Sequence, residues 1–232
     1  MESTLNGTKY RNNLFVLPKE HGAIVTLVLS IVIATFCFGI LNTSTILALS
    51  IFWLMVTTIH RDKVNLMIAT SGGILMMLIT GNVFLLSMYL MVWLGNRLMN
   101  KSRAQREVIG IVGASTAPFL IIWLASGCSS SHSLVLAIVL PFLCAALIAS
   151  VVVHYAINQF NESFWIMISL TIPLLILINL TIPQAIFWLL IPVLIQFGFR
   201  DALSNLSFKN LGLLQTAYLT TIALVIIVLN TS

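Results

Sequence analysis

The sequence predicts an all-α bundle of about nine transmembrane helices, and three observations carry that expectation. Of 232 residues, 59% are hydrophobic and 7% are charged, against roughly 25% charged in a soluble domain, and the mean hydropathy is +1.08. Apolar stretches of spanning or near-spanning length recur with short polar breaks, which leaves no room for a separate soluble domain. With nine helices counted, all 11 basic residues fall on one side of the membrane.

Residues 1–22 are polar and are expected to form a cytoplasmic N-terminal tail, with residues 23–232 as a single transmembrane domain. The first apolar run, Ala23 to Leu41, exceeds a signal-peptide core and is not followed by an evident small-residue cleavage site, so no cleavage is expected. Thr43 to Ile59 is the second helix. Residues 64–95 would form one helix about 48 Å long at 1.5 Å per residue, beyond a hydrocarbon core of about 30 Å. A turn at Thr80, Gly81 and Asn82 therefore divides the stretch into Val64 to Thr80 and Asn82 to Gly95. Val108 to Ser126 and Ser133 to Val153 come next. Residues 164–199 are too long by the same measure, and Thr181, Ile182 and Pro183 break them into Phe164 to Leu180 and Gln184 to Phe199. Gly212 to Leu229 is the last.

The basic residues check this count independently, because one helix too many or too few would scatter them over both sides. Lys9, Arg11 and Lys19 lie in the tail; Arg61 and Lys63, then Arg97, Lys101, Arg103 and Arg106, then Arg200 and Lys209 lie in segments on the same side. The pattern predicts a multi-pass protein of the cytoplasmic membrane with its N-terminus inside and its C-terminus outside. The net charge of +5 is then a topology signal, and nucleic acid is not an expected partner. Trp93, Tyr155 and Trp165 fall near the inner boundary and Trp123 and Trp188 near the outer one, as interfacial aromatics do. Cys37, Cys128 and Cys144 form no CxxC pair and are expected to be free thiols.

Glu2, Glu20, Asp62, Glu107, Glu162 and Asp201 all map to the inner side, with His21, His60 and His154, whereas His132 maps outside. Glu20 in a first helical turn complements the positive end of the helix dipole, which alone accounts for a charge there. The recurrence of the pattern in KEH, HRDK, RE and RD suggests more, namely a ring of helix mouths around one polar pocket. Lys19, Glu20, His21, Asp62, Arg106, Glu107, Arg200 and Asp201 are its candidate residues, with guanidinium groups suited to an anionic head group. Residues 96–107 form the longest basic run and would attract anionic lipid. Gly110, Gly113, Ala114 and Ala117 are expected to pack closely against neighbouring helices, as are Ala145, Ala146, Ala149 and Ser150. Pro118, Pro141, Pro173 and Pro192 lie inside helices, where kinks or local unwinding are expected.

The stretch LPKEHGA, residues 17–23, resembles the N-terminal signature of the YwiC-like family of polytopic membrane proteins, with Ile24 where that family commonly has tryptophan. The resemblance implies an architecture more than a reaction. It leaves an integral membrane protein with a cytoplasmic-facing polar site, a noncatalytic factor binding a partner or an anionic lipid. The nine-helix count is also similar to the UbiA superfamily of prenyltransferases, which would act on an isoprenoid diphosphate. Those enzymes carry two aspartate-rich motifs, whereas here the matching loops offer only Asp62 and Glu162, with no DxxxD. A metal or haem site from His21, His60 and His154 lacks HxxxH or HxH spacing, and ion-coupled transport lacks a charge deep within a span. No cofactor is implied.

Overall fold

A computed structural model describes residues 21–38, 42–99, 102–128 and 131–231, and they are helical with no strand. In chain order the helices are α1 (His21–Phe38), α2 (Thr43–Thr57), α3 (Asp62–Thr80), α4 (Phe84–Met99), α5 (Arg103–Ala125), α6 (His132–Ala156), α7 (Glu162–Thr181), α8 (Pro183–Gly198), the short α9 (Arg200–Ser204) and α10 (Phe208–Thr231). Five of them, α3, α5, α6, α7 and α10, are long and apolar enough to cross a membrane. Both expected hairpin breaks are present. Gly81 ends α3 in the left-handed region at φ 70°, where glycine carries no steric cost, and Pro183 opens α8 at its first position.

Several helices begin earlier than expected. The expected starts at Val64, Val108, Phe164 and Gly212 all lie inside helices, because polar side chains extend the first turns. Ser102 accepts a hydrogen bond from the Gln105 amide to start α5, and Asn161 accepts one from Phe164 to start α7. Asp62 and Glu162 occupy first turns, against the positive end of the dipole. The acids expected in loops are therefore held on helices.

Helices α5 and α6 form the middle of the bundle. Residues 144–149 of α6 are all buried, and the Phe119 and Phe142 rings meet edge to face 5.8 Å apart between the two helices. One core joins α5, α6, α8 and α10, and a second joins α2, α3, α4 and α5; α1 supplies Ile33 and Ala34 to the first and Leu27 to the second. In lipid, apolar contact between helices gives little net driving force, so close packing and hydrogen bonds must hold such a bundle. The closest approaches involve Gly72 and Gly73 of α3. A Cβ at Gly73 would come within 3.0 Å of the Leu86 backbone, and one at Gly72 within 2.5 Å of Ile51. Gly113, expected at a tight interface, faces open space.

The four internal prolines sit within helices that run on without interruption, so local unwinding does not occur at them. Pro118 shows how one is accommodated. Proline cannot donate to the carbonyl four residues back, and that carbonyl, of Ala114, accepts instead from the Ser30 hydroxyl at 2.9 Å. The same bond ties α1 to α5. All three cysteines are free thiols.

Candidate functional site

Three helix mouths meet around one carboxylate. Glu107 lies in the second turn of α5, four residues after Arg103, with its side chain only 19% exposed. His154 lies in the last turn of α6 and is buried. The chain then turns through Asn158 at φ 55°, with Gln159 N donating to the His154 carbonyl, and Asn161 caps α7 so that Ser163 follows in its first turn. The Ser163 hydroxyl reaches Glu107 Oε2 at 2.5 Å, and His154 Nε2 stands 3.4 Å from the same oxygen.

The contacts around this group constrain its protons. His154 Nδ1 lies 2.9 Å from the Ser150 carbonyl, which can only accept, so Nδ1 carries a hydrogen and Nε2 is the nitrogen presented to Glu107. Protonation of Nε2 completes an ion pair with the carboxylate. Asn161 Oδ1 is fixed as an acceptor by the Phe164 amide and also lies 2.7 Å from Ser163 Oγ, so the single serine proton is directed either to Asn161 or to Glu107. The imidazole addresses the carboxylate, not the hydroxyl, which is not the arrangement of a base-activated serine nucleophile. What the group offers is a carboxylate acceptor, with an imidazole beside it, at the mouth of three helices. One aromatic ring adjoins it: Phe164 lies 6.4 Å from the His154 ring, and itself lies 5.0 Å from Phe160 and 5.3 Å from Trp165.

A second polar group caps α3 and α4. Trp93 Nε1 donates to Asp62 Oδ1 at 2.9 Å, and the Arg97 guanidinium lies 5.6 Å from the centre of the same indole. One turn deeper, Asn65 donates to the Met55 carbonyl and to Thr58 Oγ1, while its own oxygen accepts from Asn96. A like pair joins α8 to α10, where Gln215 donates to Gln196 at 2.8 Å; Gln215 Oε1 is buried with no partner among the described residues.

Of the eight candidate residues, Asp62 accepts from Trp93, and Glu107 meets Ser163 and His154. Arg106 is exposed, and its charge acts on His60. Together with partial burial, the larger cause, it holds the His60 imidazole below its usual range. Lys19 and Glu20, and the side chains of His21, Arg200 and Asp201, lie outside the described residues. Sequence reasoning missed Ser163 and the buried amides. The available signal for Ser163 was Asn161, a cap residue placed three positions before Phe164 at the start of an apolar run. Among the described residues, no three His, Cys, Asp or Glu side chains converge. Comparison with protein-family profiles, with curated proteins and with solved structures finds no match to this chain.

Proposed function

We propose that this chain is a nine-span protein of the cytoplasmic membrane, N-terminus inside and C-terminus outside, that binds anionic lipid head groups at its inner end without catalysis. The reading keeps it with the YwiC-like proteins on the strength of residues 17–23. The observation that carries it is the mouth of α3 and α4. There Arg61, Lys63 and Arg97 outnumber the one acid, Asp62, and Asp62 is engaged by Trp93, an indole of the kind that marks head-group depth. Arg97 over that indole is held close to the bundle, and Lys63 is exposed beside it. Each basic group at a lipid surface contributes about 1 kcal/mol of attraction to anionic lipid.

The test is retention of phosphatidylglycerol by the purified protein, read by native mass spectrometry against phosphatidylcholine. Lys63→Ala and Arg97→Ala should each lower phosphatidylglycerol retention about fivefold at low salt, the loss that about 1 kcal/mol represents. Equal retention of the two lipids by the unmodified protein, or no change in either variant, would overturn the reading.

A further inference from the structure

Residues 169–173 of α7 combine three features that soften a helical backbone. Pro173 has no amide hydrogen to donate to the Ser169 carbonyl four residues back. The Ser169 hydroxyl donates to the Ile166 carbonyl at 2.8 Å and the Thr171 hydroxyl to the Met167 carbonyl at 2.7 Å, and such back-bonding weakens and bends helices. Of the five long apolar helices α7 is the least buried, and Pro173 is exposed on it, so a bend there displaces lipid and not a packed neighbour. Two other internal prolines are braced: Ser30 takes up the carbonyl that Pro118 leaves open, and Pro141 is buried in the middle of the bundle.

A groove of about 310 Å³ opens between α5 and α7, with Val112 on one side, Leu170 and Pro173 on the other, and Leu143 and Leu147 of α6 at its floor. The soft turn is thus part of the groove wall. Nearer the start of both helices, the Ser163 hydroxyl reaches Glu107 and ties α7 to α5, while His154 holds the same carboxylate from α6. Val108, Phe164 and Met167 pack together as well, but apolar contact gives little net attraction between helices in lipid, so the hydrogen bond sets how firmly α7 is held. We infer that residues 162–168 of α7 form a gate beside the groove, hinged at residues 169–173 and latched by Ser163 on Glu107. Ser163 lies ten residues from Pro173, an arm of about 15 Å at 1.5 Å per residue. A bend of about 20°, where a kink becomes sharp, carries Ser163 about 5 Å, out of hydrogen-bond reach of Glu107, and widens the groove. The gate does not depend on head-group binding at the mouth of α3 and α4.

The test is double electron–electron resonance on the full-length protein in detergent, with spin labels on Gln105→Cys of α5 and Trp165→Cys of α7, both exposed positions. Cys37→Ser, Cys128→Ser and Cys144→Ala remove the native thiols. Ser163→Ala should enlarge, about tenfold, a population about 5 Å longer, the shift expected when one hydrogen bond to a charged group is lost. Ser163→Thr keeps the hydroxyl and should match the chain with serine. Adding Pro173→Ala to Ser163→Ala restores a donor for the Ser169 carbonyl and should return most of the population to the shorter distance. A second labelled pair, Gln105→Cys with Leu213→Cys on the exposed face of α10, should not change in any variant. An unchanged distribution in Ser163→Ala would overturn the latch, and a longer population that survives Pro173→Ala would overturn the hinge. Lengthening of the Gln105 to Leu213 distance would mean that the whole bundle loosens, which would overturn the gate. The arms using Lys63 and Arg97 read lipid retention at the other mouth, so failure of either reading is separately visible.

Discussion

The two ends of α5 meet their surroundings in different ways. At its C-terminal end, polar neighbours spend their donors on backbone carbonyls: Asn82 of the α3–α4 turn donates to the Leu124 carbonyl at 3.2 Å, and Ser44 of α2 donates to the Ala125 carbonyl at 3.0 Å. A helix end leaves such carbonyls short of intrahelical partners, and in a bilayer an unmet one is costly; the Leu124 carbonyl accepts from the Gly127 amide as well as from Asn82, so both donors serve the backbone of this helix end. At its N-terminal end the backbone is already served by Ser102, yet Glu107 still gathers Ser163 and His154 from two other helices. The acid there exceeds what capping requires. Polar residues at helix mouths therefore divide into those the backbone demands and those it does not, and only the second kind points to a function.

That division can be tested by deletion. Glu107→Leu should have the largest effect, because it removes the acceptor shared by Ser163 and His154. Loss of a hydrogen-bonded charged partner costs about 2 kcal/mol, which unfolding in mixed detergent micelles would register. A loss no larger than a few tenths would mean that the group contributes no more than an exposed pair. Asn82→Ala should come next, at about 1 kcal/mol, since it forfeits the donor to Leu124 and the oxygen that accepts from the Phe84 amide. It should leave lipid retention unchanged, and a loss of retention would break the distinction between the two ends.

The smallest effect belongs to His60, which is largely exposed. Its folded imidazole titrates below the ordinary value of 6.5, so the unfolded chain binds the proton more readily between the folded value and 6.5. Stability is then full above pH 6.5 and is lost as the pH falls from there through the folded value. His60→Gln should flatten the dependence in that window, as followed by thermal unfolding at a series of pH values. Arg106→Gln should flatten it only in part, because burial is the larger cause.

The hairpins at Gly81 and Pro183 were legible from length alone: no single helix of 32 residues fits a core of about 30 Å, and a break must fall where the chain can turn. Asp62 and Glu107 were legible as candidates because a charge beside an apolar run is rare. Their partners were not. Ser163 lies 56 residues from Glu107, and Trp93 lies 31 from Asp62. Gly72, Gly73 and Gly113 look alike in sequence, yet the first two meet neighbouring helices closely and the third meets nothing within 4 Å.

What the sequence by itself determined was the class of structure and the positions of its breaks. Those properties follow from moving each segment from water to lipid, a local matter of length, hydropathy and charge. What only the tertiary structure decided was which face each helix turns toward its neighbours. A helix apolar on every side, such as α6, carries little amphipathic signal to set its rotation. Rotation is chosen instead by close packing and by a few polar groups: Ser30 on the carbonyl that Pro118 leaves open, Asn65 with Asn96, and Glu107 with His154 and Ser163. Each of these contacts joins residues far apart in the chain, so each exists only once the helices have assembled.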